Sequence, residues 1–174
     1  MGCSSCSRPN ALGRPRAKTA SPSARSTLRA SRSSTTSSHR SGCLSHGEVK
    51  EKPWVAHAWL VESGNGDQRT LYLAGQCGYD PAGCVESPGD LAAQLDRAMA
   101  NIAAILRDAE MTFADVVQLN FYVTSRNDYA TARKEFGRVW RKHCGKHYPG
   151  MAMFQVVSLF DPDALIEVQG IAAQ

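Results

Sequence analysis

Two segments decide how this chain reads: Tyr148-Pro149-Gly150-Met151-Ala152-Met153-Phe154-Gln155-Val156 and Ala164-Leu165-Ile166-Glu167-Val168-Gln169-Gly170-Ile171-Ala172. Ala152 to Leu159 predicts a strand, Asp161-Pro162-Asp163 a turn, and Leu165 to Ala172 a last strand antiparallel to it. Glu167 falls in mid-strand between Ile166 and Val168, with Leu165 and Ile171 on its own face. A carboxylate in such company is poorly solvated and suited to pass protons and orient water. The competing reading is a glutamate on a solvated edge of an antiparallel sheet.

Upstream, the pattern adds three more strands and two helices. Val55 to Val61 and Thr70 to Ala74 read as a hairpin around the turn cluster Glu62-Ser63-Gly64-Asn65-Gly66-Asp67. Gly75 to Gly89 is a loop. Asp90 then caps a helix with apolar residues at Leu91, Leu95, Met99, Ile102, Ile105 and Leu106, a helical period. Val117, Leu119, Phe121 and Val123 alternate with Gln118, Asn120, Tyr122 and Thr124, which predicts a strand with one apolar face. A second helix starts near Asp128, with Tyr129, Ala132, Phe136, Val139, Trp140 and His143 as its buried stripe and Gly145 as its C-cap. The order ββαβαββ, with both helices on one face of a mixed sheet, is an α+β sandwich. The other face carries residues such as Tyr122 and Phe154, and oligomerisation is the simplest cover for it.

The chain has 174 residues, enough for one domain with a substantial core. Its first 47 residues contain no Asp or Glu and carry a formal +8, against +4 for the whole chain, so the remainder carries −4. The basic balance therefore belongs to the leader and gives no argument that the domain binds nucleic acid. Residues 1–47 are rich in Ser, Thr and Arg and poor in large apolar groups, so they are expected to lack fixed structure. Two readings fit this leader: a disordered tail, or an organelle transit peptide. The first leaves the domain, residues 48–174, cytoplasmic, and the second sends it to a mitochondrion or plastid. No apolar run is long enough to span a bilayer. The six cysteines are scattered and read as reduced thiols, with a Cys77–Cys84 bridge as the alternative in an oxidising compartment. His143-Cys144-Gly145-Lys146-His147 lacks a second ligand pair at zinc spacing and reads as a helix end, so no metal and no cofactor is called for.

From Lys52 to Ala172 the chain resembles the Rid family, also called YjgF/YER057c/UK114. The resemblance rests on Pro53-Trp54, Leu71-Tyr72-Leu73-Ala74-Gly75-Gln76, Asp90-Leu91-Ala92-Ala93-Gln94, Asn127-Asp128-Tyr129 and the two C-terminal segments. It implies the chorismate-mutase-like fold and a homotrimer with small-molecule sites in the clefts between subunits. The activity it implies is hydrolysis of reactive enamine/imine intermediates with release of ammonia. Glu167 falls where the family's acidic residue positions the hydrolytic water. Trp54, Gly75 and Gln76 fall where the family lines the ligand site. Met151 falls where active members carry an arginine that clamps the substrate carboxylate.

Methionine offers a weak sulfur acceptor and apolar bulk in place of a planar, doubly donating cation. The expected substrate is thus less anionic than 2-iminobutanoate. A second expectation is a trimer that binds a neutral metabolite without chemistry. A third, minor one is a ribonuclease or RNA-binding member, which the acidic domain opposes.

Overall fold

The computed structural model describes residues 40–44, 57–64 and 66–174. Six strands and two helices follow one another as β1 (Arg40–Leu44), β2 (Ala58–Glu62), β3 (Arg69–Gln76), α1 (Leu91–Asp108), β4 (Val116–Val123), α2 (Arg126–Cys144), β5 (Gly150–Gln155) and β6 (Ile166–Ala173). A short 3-10 turn, Phe113–Asp115, leads into β4. The strands form one mixed sheet in the order β1-β2-β3-β6-β4-β5, and the fold is α+β as expected.

The last strand runs opposite to β5, as expected, but does not pair with it. β6 runs antiparallel to both β3 and β4, between them, while β5 lies parallel to β4 at the sheet edge. The Asp161-Pro162-Asp163 turn therefore does not close a hairpin; it carries the chain over β4 into the middle of the sheet. The apolar run of β6 accounts for its place, because its alternate residues Ile166, Val168 and Ala172 are fully buried. The first strand also differs from expectation. β1 pairs with β2 and falls within the leader assigned to residues 1–47.

Helix α1 begins at Asp90, whose side chain accepts from the Ala93 N–H at 3.0 Å. Its predicted stripe is buried in full: Leu91, Leu95, Met99, Ile102, Ile105 and Leu106 are at most 5% exposed. Each large side chain taken out of water there contributes about 1.5–3 kcal/mol. The helix stops at Ala109, and Glu110 takes φ 58, the left-handed turn that a glycine adopts without strain. Helix α2 starts two residues earlier than predicted because Ser125 is its cap, accepting from the Asp128 N–H. Gly145 closes it at φ 60.

In β4 the alternation predicted from Val117 fails at its first position. A register shift between Val116 and Gln118 puts Val116 in the core and leaves Val117 51% exposed. From Leu119 on the alternation holds, with Leu119, Phe121 and Val123 facing the helices.

Candidate functional site

The sheet's helix-free face is set by register. Glu167 of β6 pairs with Tyr122 of β4, which pairs with Phe154 of β5. Tyr122 and Phe154 stack with ring centroids 5.7 Å apart, and the Tyr122 hydroxyl donates to Gln169 Oε1 at 3.2 Å. Farther along the same face lie Ile171, Tyr72 and Trp59, opposite one another on β6, β3 and β2. Trp59, Tyr72 and Phe154 are each nearly half exposed. Glu167 thus stands at one end of an aromatic, unhelixed surface.

A bulge in β3 shapes the ground beneath that carboxylate. Leu73 pairs with Gly170, but Gln76 pairs with Val168, so one extra residue is inserted between them. The insertion turns Gln76 inward, where it is 6% exposed and donates through Nε2 to the Ala74 carbonyl at 3.2 Å and the His57 carbonyl at 3.5 Å. The bulge also lays the Gly75 backbone directly under Glu167. A Cβ added at Gly75 would fall on the Glu167 carboxylate, 2.6 Å from its Cδ. Glycine is required here for close approach, and the structure brings Gly75 and Glu167 together.

Met151 stands elsewhere. It pairs with Leu119, in the row that faces the helices, and is 47% exposed on the edge strand. Three residues along the strand and two strands across separate its row from that of Glu167. At about 3.3 Å per residue and about 4.8 Å per strand, this is about 14 Å within one protomer. Trp54 lies outside the described residues. Of the predicted site, then, one protomer assembles Glu167 and Gly75, gives the Gln76 side chain to its own backbone, and holds Met151 apart.

The structure adds neighbours that sequence reasoning missed. Cys77 is buried, and the Tyr79 hydroxyl donates to its sulfur. Burial pushes the Cys77 thiol up to about 12, the nearby Glu167 and Asp161 carboxylates add to this, and the Tyr79 hydroxyl opposes it. Burial, and then Cys77, push the Tyr79 phenol upward as well. Both groups therefore stay protonated at neutral pH, which leaves Glu167 and Asp161 as the carboxylates bordering this spot. Asn101 of α1 donates to the Cys77 and Tyr79 carbonyls at 3.2 and 3.1 Å. Gln94, fully buried on the same helix, donates to the Ser87 and Asp163 carbonyls and accepts from the Leu165 N–H. A signal for Gln94 was present: it sits in phase with Leu91 and Ala98, inside the buried stripe, where an amide needs partners.

The His143–His147 stretch has structural partners. His143 Nε2 lies 2.7 Å from Asp96, which Lys142 also meets, and His147 Nε2 donates to the Val116 carbonyl at 2.8 Å. Cys144 is buried and free, as is Cys77. Cys84 is disulfide-bonded, so the reading of every cysteine as a reduced thiol, and the alternative Cys77–Cys84 bridge, do not hold. No described helix is long and apolar enough to cross a membrane.

Comparison with known proteins agrees with this architecture. The model of the family described as Endoribonuclease L-PSP matches residues 54–174. A 2-iminobutanoate/2-iminopropanoate deaminase of Bos taurus is 32% identical over 106 residues, 61% of this chain and 74% of that protein. A RutC family protein of Pyrococcus abyssi is 30% identical over 125 residues, covering 72% and 91% of the two chains. Among solved structures, RidA from the Antarctic bacterium Psychrobacter sp. superposes with a TM-score of 0.59 at 27% identity, covering 75% of this chain and 96% of that one. A YjgF/YER057c/UK114 family member from Mycobacterium tuberculosis gives 0.58 at 28% identity, over 76% and 98%. With its two helices on a mixed sheet, the chorismate-mutase-like fold of these relatives, the chain belongs to the L-PSP family, also called YjgF/UK114/Rid.

Proposed function

We propose that this protein hydrolyses reactive enamine/imine intermediates, releasing ammonia, and that its substrate is less anionic than 2-iminobutanoate. The observation that carries this is the Glu167 carboxylate lying across the Gly75 backbone on the open face of the sheet. Glu167 takes a proton from water as the water oxygen bonds to the imine carbon, and passes that proton to nitrogen, which gives a carbinolamine. It then moves the hydroxyl proton of the carbinolamine to nitrogen as the C–N bond breaks, so ammonia leaves and a carbonyl forms. Backbone groups beside Gly75 hold the substrate's polar atoms. The deaminase names of mammalian relatives support the reaction class. Met151 supports the change of substrate, because it cannot make the bidentate contact a carboxylate favours.

The site belongs to a homotrimer in this reading. The half-exposed Trp59, Tyr72 and Phe154 need cover, and Met151 of one copy approaches Glu167 of another only across an interface. Light scattering gives the assembly. Ammonia release from freshly generated imines, with and without a carboxylate, gives the chemistry. Turnover of a neutral imine in preference to 2-iminobutanoate is the expected result; ammonia release no faster than in buffer, for every imine, sinks the proposal. The exposed methionine in place of a cation favours one second reading, a trimer that holds a neutral metabolite without turning it over. Native mass spectrometry of the purified protein, showing a retained small molecule that is returned unchanged, would select it.

A further inference from the structure

Two amides on one face of α1 hold both banks of the ground on which Glu167 lies. Gln94 and Asn101 are seven residues apart, two helical turns, so both point to the same side. Gln94 Oε1 accepts from the Leu165 N–H at 2.7 Å, and its Nε2 donates to the Asp163 carbonyl at 2.9 Å. These bonds fix the entry into β6, two residues before Glu167. The same Nε2 donates to the Ser87 carbonyl at 3.0 Å, at the far end of the loop that follows β3. Asn101 Nδ2 donates to the Cys77 and Tyr79 carbonyls, which fixes the near end of that loop just beyond Gly75. Gly78 lets the loop come this close, since a Cβ there would stand 2.9 Å from the Gln94 Cα. A buried amide with every polar atom engaged ties segments that no backbone ladder joins.

We infer that Gln94 and Asn101 are positioning residues, which place the Glu167 carboxylate over Gly75 by clamping the loop after β3 and the entry to β6 to one helix. The inference rests on reading Glu167 as the proton-handling group. Its test includes a readout that needs no turnover. Cys77 lies within electrostatic reach of Glu167, whose carboxylate helps to keep the thiol protonated. Glu167→Gln should therefore speed alkylation of Cys77 by iodoacetamide, read by peptide mass spectrometry on the full-length protein, about threefold or more at pH 8. Cys144, on the other helix, serves as the internal control.

In Gln94→Met, and separately in Asn101→Ala, the carboxylate loses its fixed place, and the effect of Glu167→Gln on Cys77 should shrink by at least half. Asn101 is only partly buried, so its variant retains the fold if Gln94→Met does not. With an imine substrate, kcat should fall about tenfold while KM stays within twofold, the pattern of a misplaced group rather than lost binding. An undiminished effect of Glu167→Gln in both variants overturns the inference. So does a rise in Cys144 alkylation that matches that of Cys77, which would mark general loosening. If the wild type releases no ammonia, the function reading fails and the thiol measurement still decides the clamp.

Discussion

Replacing Gly75 by alanine perturbs the candidate site without touching Glu167 itself. The added methyl would stand 2.6 Å from the Glu167 Cδ and 3.0 Å from its Cγ. Carbon atoms rest about 3.5–4.0 Å apart and Glu167 Oε1 clashes more closely still, so the carboxylate must retreat by at least about 1 Å. The retreat is cheap for folding, because the clashing atoms are the far end of a flexible side chain. Gly75 is not among the positive-φ glycines, so alanine fits the backbone and stiffens the unfolded chain, a gain of about 0.4–1 kcal/mol. For catalysis a misplacement of about 1 Å costs on the order of a hundredfold, equivalent to about 2.7 kcal/mol of transition-state stabilisation. The assay is ammonia release from a freshly generated imine, with thermal unfolding measured alongside. Activity should fall about a hundredfold while the unfolding temperature holds or rises. Shortening the acid with Glu167→Asp in the Gly75→Ala background should recover about tenfold. Activity within threefold of wild type would refute the reasoning, and so would a loss that merely follows a lower unfolding temperature.

Three further outcomes are expected. Met151→Arg should raise hydrolysis of 2-iminobutanoate on the order of a hundredfold, measured by the same assay, because a regained bidentate contact is worth about 2–3 kcal/mol; the gain should vanish when Glu167→Gln is added. Glu110→Gly should stabilise the protein by about 1 kcal/mol in urea unfolding, since φ 58 strains a glutamate and its contact with Arg69 is a long, exposed 3.9 Å. Asp96→Asn should cost about 0.2–1 kcal/mol at pH 7. Burial alone would raise the Asp96 carboxyl, but hydrogen bonds from Lys142 and His143 hold it below its ordinary 3.8. The wild-type advantage is therefore present above that value and disappears as pH falls through the lower folded one, so the two unfolding curves should converge in acid.

The local parts of this fold were legible because their causes are local. Asp90 and its apolar stripe marked α1, and Gly145 marked the end of α2. Pairing across the sheet was less so. Nothing in Leu165 to Ala172 says that its neighbours are β3 and β4 rather than the strand just before it, and the apolar run fits either. The bulge that turns Val117 out and Val116 in, like the one that turns Gln76 in and sets Gly75 under Glu167, leaves the alternation in sequence intact. The family resemblance, and not residue spacing, named Gly75 beside Glu167 as a candidate site residue, and the β3 bulge lays the one against the other. The sequence could not show that Met151 stands in another row and on the other face, because strand register is set by pairing partners far along the chain.

The role of Glu167 is tested by comparing wild type with Glu167→Gln in ammonia release from a neutral imine, with assembly and unfolding temperature measured on both. Clear acceleration over buffer by the wild type is expected, with a loss of about a hundredfold or more in Glu167→Gln while assembly and unfolding stay unchanged. Equal rates in the two proteins would contradict it.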